Sequence, residues 1–278
     1  MLLPRSPPVA MNLLVVIILG VLFVATDALL SPFAPPDPVS QALSGVAKLV
    51  LESRLQELQS VEVQVRASPL AILSGGVDGV RVSGRGWCTP MRLSCRELDV
   101  SVGRTAVDVQ ALVSSRRILL QRAAEGDATM VFSGADWQHF LEHPLMAAAI
   151  ANRRRTVPCP CFSFAGSRVV VRPDGVEFTL RWGDDALQAR LYQRQGGQVV
   201  ASVRADDLVV VEPSAAAADV DADTARLAAM WIVGLFENLV LDLDGCELRF
   251  RSLRAAKDKL ELRLGVRVRN FPSLDINF

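Results

Sequence analysis

Five consecutive residues form the sharpest chemical string in this chain. His139-Phe140-Leu141-Glu142-His143 reads H-x-x-E-H, the inverted zinc-peptidase pattern. On a helix, positions four apart share a face, so His139 and His143 could grip zinc while Glu142 polarises its water. They are the two histidines of the protein. Pro144, the next residue, works against this reading, because a regular helix does not run through a proline and no further residue is marked out as a third ligand. The plain alternative is a short surface helix after a strand, with Trp137, Phe140 and Leu141 turned inward. The strings G-x-S-x-G, G-x-x-x-x-G-K-[ST] and G-x-G-x-x-G are missing, and two histidines on one segment leave few ways to build a Ser/His or Cys/His triad. The sequence leans away from catalysis and calls for no cofactor and no metal.

Three other groups of residues have binding chemistry. Arg153-Arg154-Arg155 is a basic run in a neutral protein. As a solvated loop it has no function, and as a surface it would meet anionic lipid headgroups at about 1 kcal/mol per charge. Ser68-Pro69-Leu70-Ala71-Ile72-Leu73-Ser74-Gly75-Gly76 presents apolar residues between turn formers, either a loop tucked on a sheet or a lip that enters a bilayer. Five cysteines, an odd number, include Cys88 and Cys95 across a turn, the Cys159-Pro160-Cys161 pair and a solitary Cys246. A Cys88–Cys95 disulfide is open to a chain in an oxidising compartment, and the spacing does not make a zinc site.

The elements that must position these residues follow from composition and period. Of 278 residues half are apolar and 22% charged, with Lys+Arg 30 against Asp+Glu 30. A zero net charge with 6% aromatic residues offers neither the basic field nor the stacking platforms of a nucleic-acid binder. Some of the apolarity is terminal: residues 13–25, LLVVIILGVLFVA, hold no charge. Thirteen residues reach roughly 20 Å as a helix, short of the roughly 30 Å hydrocarbon core. This favours a cleavable targeting peptide over a retained anchor, and residues 1–37 are read as one or the other plus a Pro-rich linker. The junction Ser31-Pro32-Phe33-Ala34-Pro35 also loosely resembles that of bipartite plastid presequences. Residues 38–278 are read as one domain, membrane-associated in a secretory, extracytoplasmic or plastid compartment.

Within that domain, apolar residues at three- and four-residue spacing predict a helix over 39–58. The period then falls to two. Strands are expected at 61–65, 77–83, 93–102, 106–113, 128–132, 168–171, 176–182, 187–193, 199–203, 208–211, 246–253 and 260–268, mostly joined by short turns that make neighbours antiparallel. A second helix is expected from about Ala135 into 145–150, and a third, apolar over most of its circumference, at 224–239. The stretches 152–161 and 212–223 read as structureless.

The order of these features resembles the LmeA-like phospholipid-binding family in its cyanobacterial and plastid-lineage form. The resemblance rests on V-E-V-Q-V from Val61, P-L-A-I-L-S-G-G-V-D-G-V-R-V-S-G-R-G from Pro69, L-D-V-S-V from Leu98 and V-D-V-Q-A-L from Val107. It continues with A-T-M-V-F-S-G-A-D-W from Ala128 and L-E-L-R-L-G-V-R-V from Leu260, and covers roughly residues 39–272. It implies an α+β fold, a long curved antiparallel sheet wrapped around one or two helices like the tubular lipid-binding domains, and phospholipid binding at or near a membrane. The His139–His143 segment then looks like an ordinary strand-to-helix junction, and the Arg-rich 153–161 segment departs from the family pattern. Each methylene buried in an apolar groove contributes roughly 0.8 kcal/mol, so acyl tails need no charged ligand. Trp231 and Leu235 on the third helix, with Leu70, Ile72 and Leu73 at the lip, are the expected lipid contacts. Arg153, Arg154 and Arg155 are the expected headgroup or membrane-surface contacts.

Overall fold

The computed structural model describes residues 55–68, 76–89, 92–106, 119–159, 161–193 apart from 165 and 184, 199–205, 222–242 and 246–270, together with helical positions between Gln41 and Glu52. Expected elements at 107–113 and 208–211 lie outside these residues.

Alternation builds the first sheet. β1 (Ser60–Arg66), β3 (Gly79–Cys88), β4 (Ser94–Val102), β6 (Leu119–Phe132), β12 (Val240–Asp242), β13 (Cys246–Ala256) and β14 (Lys259–Asn270) join antiparallel in the order β1-β3-β4-β6-β14-β13-β12. Two short strands, β2 (Gly76–Val77) and β5 (Thr105–Ala106), pair separately. The register puts like with like. One row runs Val63, Val82, Val100, Ala128, Leu264, Phe250, and another Val65, Val80, Val102, Gly126, Val266, Leu248, Leu241. Successive side chains of a strand face opposite ways, so these rows make one face of the sheet continuously apolar. The other face carries ion pairs such as Arg81–Asp99 at 2.7 Å and Arg251–Asp127 at 2.5 Å.

The sheet curves, and two local features allow it. The pairing of β13 with β14 shifts between Phe250 and Ser252, as a bulge does. At Gly126 a Cβ would stand 2.0 Å from the Ser101 carbonyl, so only glycine lets β4 approach β6 this closely.

β7 (Phe162–Ser163), β8 (Val169–Arg172), β9 (Gly175–Trp182), β10 (Asp185–Gln193) and β11 (Val199–Ala205) form a second antiparallel sheet, ordered β11-β10-β9-β7 with β8 also paired to β9. Its Val176, Phe178, Leu180, Leu187, Ala189 and Leu191 join the same buried cluster as the first sheet. The result is the expected α+β architecture of large antiparallel sheets, one of them curled, against helices.

Among the described residues, three complete helices pack against these sheets. α1 (Gly134–Glu142) begins with a capping box in which Ser133 and Asp136 satisfy each other's backbone N–H. It turns Trp137, Phe140 and Leu141 inward, where Trp137 stacks on Phe140 at 5.0 Å and on Phe236 at 5.9 Å and meets Phe132 edge-on at 5.6 Å. α2 (Pro144–Thr156) starts afresh, with Pro144 in its first turn. α3 (Ala222–Glu237) buries Ala228, Trp231, Ile232, Leu235 and Phe236 on one face and packs on β11.

Four expectations require correction. The second helix is two helices, because His143 is extended and Pro144 cannot continue α1. Residues 152–156 are helical, because the alanines and arginines of α2 are good helix formers and Arg153, Arg154 and Arg155 oppose the negative end of its dipole. Residues 55–58 are not helical; Glu57 bridges Cys88, and the Gln56 N–H donates to the Cys88 carbonyl at 2.9 Å. β6 begins nine residues before the expected Ala128, at Leu119.

Candidate functional site

The residues of the H-x-x-E-H string do not converge. His139 is exposed on the last turn of α1 and lines a polar cleft with Asp136, Arg92 and Arg96. Glu142 turns to a different cleft, where its Oε1 accepts from the Gly166 N–H at 3.1 Å. His143 is buried and caps α2, its Nδ1 accepting from the Leu145 N–H at 3.2 Å. Burial lowers its pKa. Among the described residues no three His, Cys, Asp or Glu side chains gather as a metal site.

The cysteines are free thiols. Trp87 is paired with Cys95 and Cys88 with Ser94, so Cys88 and Cys95 leave the sheet on opposite faces and do not bond. Burial pushes the Cys95 and Cys246 thiols up to about 12, which removes the thiolate a nucleophile needs.

The arginine run does come together with the third helix. Arg153 lies along α3: its Nε donates to the Trp231 carbonyl at 3.2 Å, and its guanidinium sits 5.7 Å from the Trp231 ring centre. A Cβ at Gly234 would meet the Arg153 Nη2 at 1.9 Å, so the absence of a side chain there lets the two helices touch. Desolvation lowers the Arg153 pKa, with Cys159 and Glu237 pulling the other way. Arg154 turns to the opposite side of α2, where Nη2 donates to the Phe162 carbonyl at 2.9 Å and Nε is buried without a partner. Arg155 is exposed.

Each of the first two arginines therefore enters its own cleft of about 400 Å³. One is walled by Leu141, Ile150, Phe162 and Phe164 around Arg154, the other by Ala149, Leu235 and Leu239 around Arg153. Leu235, expected as a lipid contact, thus shares a cleft with Arg153. Trp231, the other, is buried against Phe162 at 4.4 Å and Trp182 at 6.2 Å, and its Nε1 donates to the Val157 carbonyl at 3.3 Å. Leu70, Ile72 and Leu73 lie outside the described residues. An apolar inner sheet face and guanidinium groups beside apolar clefts together suit an amphiphile with an anionic head.

The model of the LmeA-like phospholipid-binding family matches residues 37–265. The chain belongs to this family. Among curated proteins and among solved structures, nothing matches it. The family is a phospholipid-binding one, which supports a lipid as the partner of this chain. Sequence reading missed the wall formed by Phe162 and Phe164. The signal was present in their alternation, Phe162-Ser163-Phe164, but the stretch beside it had been read as structureless.

Proposed function

We propose that this LmeA-like protein holds a phospholipid by its acyl chains between α3 and the inner face of the curved sheet, and carries or presents it at a membrane surface without catalysing a reaction on it. The observation that supports this most is the unbroken apolar row from Val65 through Val80, Val102, Gly126, Val266 and Leu248 to Leu241. Such a face gains roughly 25 cal/mol for each Å² of apolar surface removed from water, whether by protein or by acyl chain.

In this reading Trp231 and Leu235 line the helix side, and Leu70, Ile72 and Leu73 form the lip. Arg153, Arg154 and Arg155 meet the phosphate. A guanidinium has five N–H donors, and a single bond from each of Arg153 and Arg154 to a carbonyl leaves donors free for phosphate oxygens. Residues 1–37 target or anchor the chain, and residues 38–278 form the single lipid-binding domain, delivered to a secretory, extracytoplasmic or plastid membrane.

The test is extraction. Purified protein is treated with organic solvent and the extract analysed by mass spectrometry. About one phospholipid per chain is expected; no stoichiometric lipid, together with no binding to phospholipid vesicles, would sink the proposal.

A further inference from the structure

The side of α3 that faces away from the core is also apolar over its first turns. Met230 is 63% exposed and Leu227 58%, one turn apart, while Ala228, Trp231 and Ile232 between and beyond them are buried. Val157, 39% exposed, is tied to the same place because its carbonyl accepts from the Trp231 Nε1. Core formation does not account for large apolar side chains in these positions.

Their surroundings are cationic. Arg153 is docked over Gly234 and Trp231, Arg155 is exposed in the last turn of α2, and exposed Arg226 adjoins Leu227. Among the described residues none of these three arginines forms an ion pair. The acidic groups on this part of α3 are Asp223 at its start and Glu237 at its end.

We propose that Leu227, Met230 and Val157, with Arg153 and Arg226 beside them and Arg155 exposed at the end of α2, dock the protein on bilayers that carry anionic phospholipid. The apolar side chains enter the boundary between headgroups and acyl chains, and the guanidinium groups meet phosphates. Three apolar side chains are too few for a stable protein interface, which buries about 1,200–2,000 Å². Shallow insertion needs only a small apolar area when cations add to it, and each arginine near an anionic surface strengthens binding about fivefold. The inference rests on the phospholipid reading above and assigns it a membrane-facing side.

The experiment uses the full chain with vesicles of phosphatidylcholine, with and without phosphatidylglycerol. Hydrogen exchange is expected to slow in residues 153–157 and 222–234 on the anionic vesicles and not on the neutral ones. The double variant L227S/M230S and the variant Arg226→Glu should each bind anionic vesicles about tenfold more weakly. Both should keep the thermal midpoint and the lipid content of the unaltered protein. Unchanged vesicle binding by both variants, or protection confined to other segments, overturns the proposal. So does loss of bound lipid together with vesicle binding, since these side chains would then hold the ligand. A dimer that dissociates in L227S/M230S, seen by light scattering, also overturns it, because the face would belong to a second copy. Failure to find lipid in the unaltered protein, with docking retained, would count against lipid holding alone.

Discussion

His143 joins α1 to α2 by accepting a hydrogen bond through an imidazole nitrogen, and burial makes it hard to protonate. Its ordinary pKa is 6.5 and its folded value lower. Below about 6.5 the unfolded chain therefore binds a proton that the folded chain resists, and stability falls as the pH drops from 6.5 toward the folded value. His143→Asn keeps a capping oxygen and does not titrate. Urea denaturation from pH 7 to 5 should show the unaltered protein losing stability relative to this variant; parallel curves would disprove the role. Asp136 has the same sign in a more acidic window. Burial raises its pKa, but hydrogen bonds from the Ser133 and Ser94 hydroxyls and the Ser133 N–H outweigh that and hold it below 3.8. Its contribution is present above 3.8 and is lost on acidification below it. Ser133→Ala removes the cap and should cost about 1 kcal/mol in the same assay. The H-x-x-E-H string was legible as a pattern, but its roles were not. Which nitrogen is buried and which cleft a carboxylate faces are decided by the elements that pack around α1.

At the scale of elements, the period of two was legible wherever inner residues are large, as in Val61, Val63 and Val65 or Leu260, Leu262 and Leu264. It was faint in β6 ahead of Ala128, where the inner positions include Ala124 and Gly126. Small residues there let neighbouring strands approach and the sheet bend, and they leave little hydrophobic signal to read. Gly126→Val should cost about 1–3 kcal/mol through overpacking, whereas Leu264→Ala should cost about 2–5 kcal/mol through a cavity. Both are measurable as shifts of the urea midpoint, and a neutral Gly126→Val would mean that the close approach of β4 and β6 is not needed. The arginine run was read as a loop because three charges suit water in a loop or a helix equally well. The negative end of α2 decides between them, and it becomes visible only once the helix is known to reach that far.

For the molecule as a whole, Lys+Arg 30 balance Asp+Glu 30, and some of these charges pair across the outer sheet face, where Glu247 meets both Arg269 and Arg249. Among the described residues, Arg153, Arg154 and Arg155 of the candidate site form no ion pair. A ligand at 100 times its Kd stabilises the folded state by about 2.7 kcal/mol. Stripping the lipid should therefore lower the melting temperature by roughly 5–10 °C, and returning phospholipid should restore it. An unchanged melt would place the lipid outside the fold. The general architecture was visible in the sequence, but the pairing of distant strands was not, because alternation says which face a residue occupies and nothing about its neighbour across the gap. That pairing has a kinetic consequence. β14 lies between β6 and β13, with Leu260 against Phe132. The earlier strands and the later hairpin therefore become one sheet only when β14 is in place. Folding governed by such a non-local pairing is slow. A chain emerging from the ribosome would keep its apolar rows uncovered until β14 had been made, and so remain open to transport machinery or chaperones in the meantime.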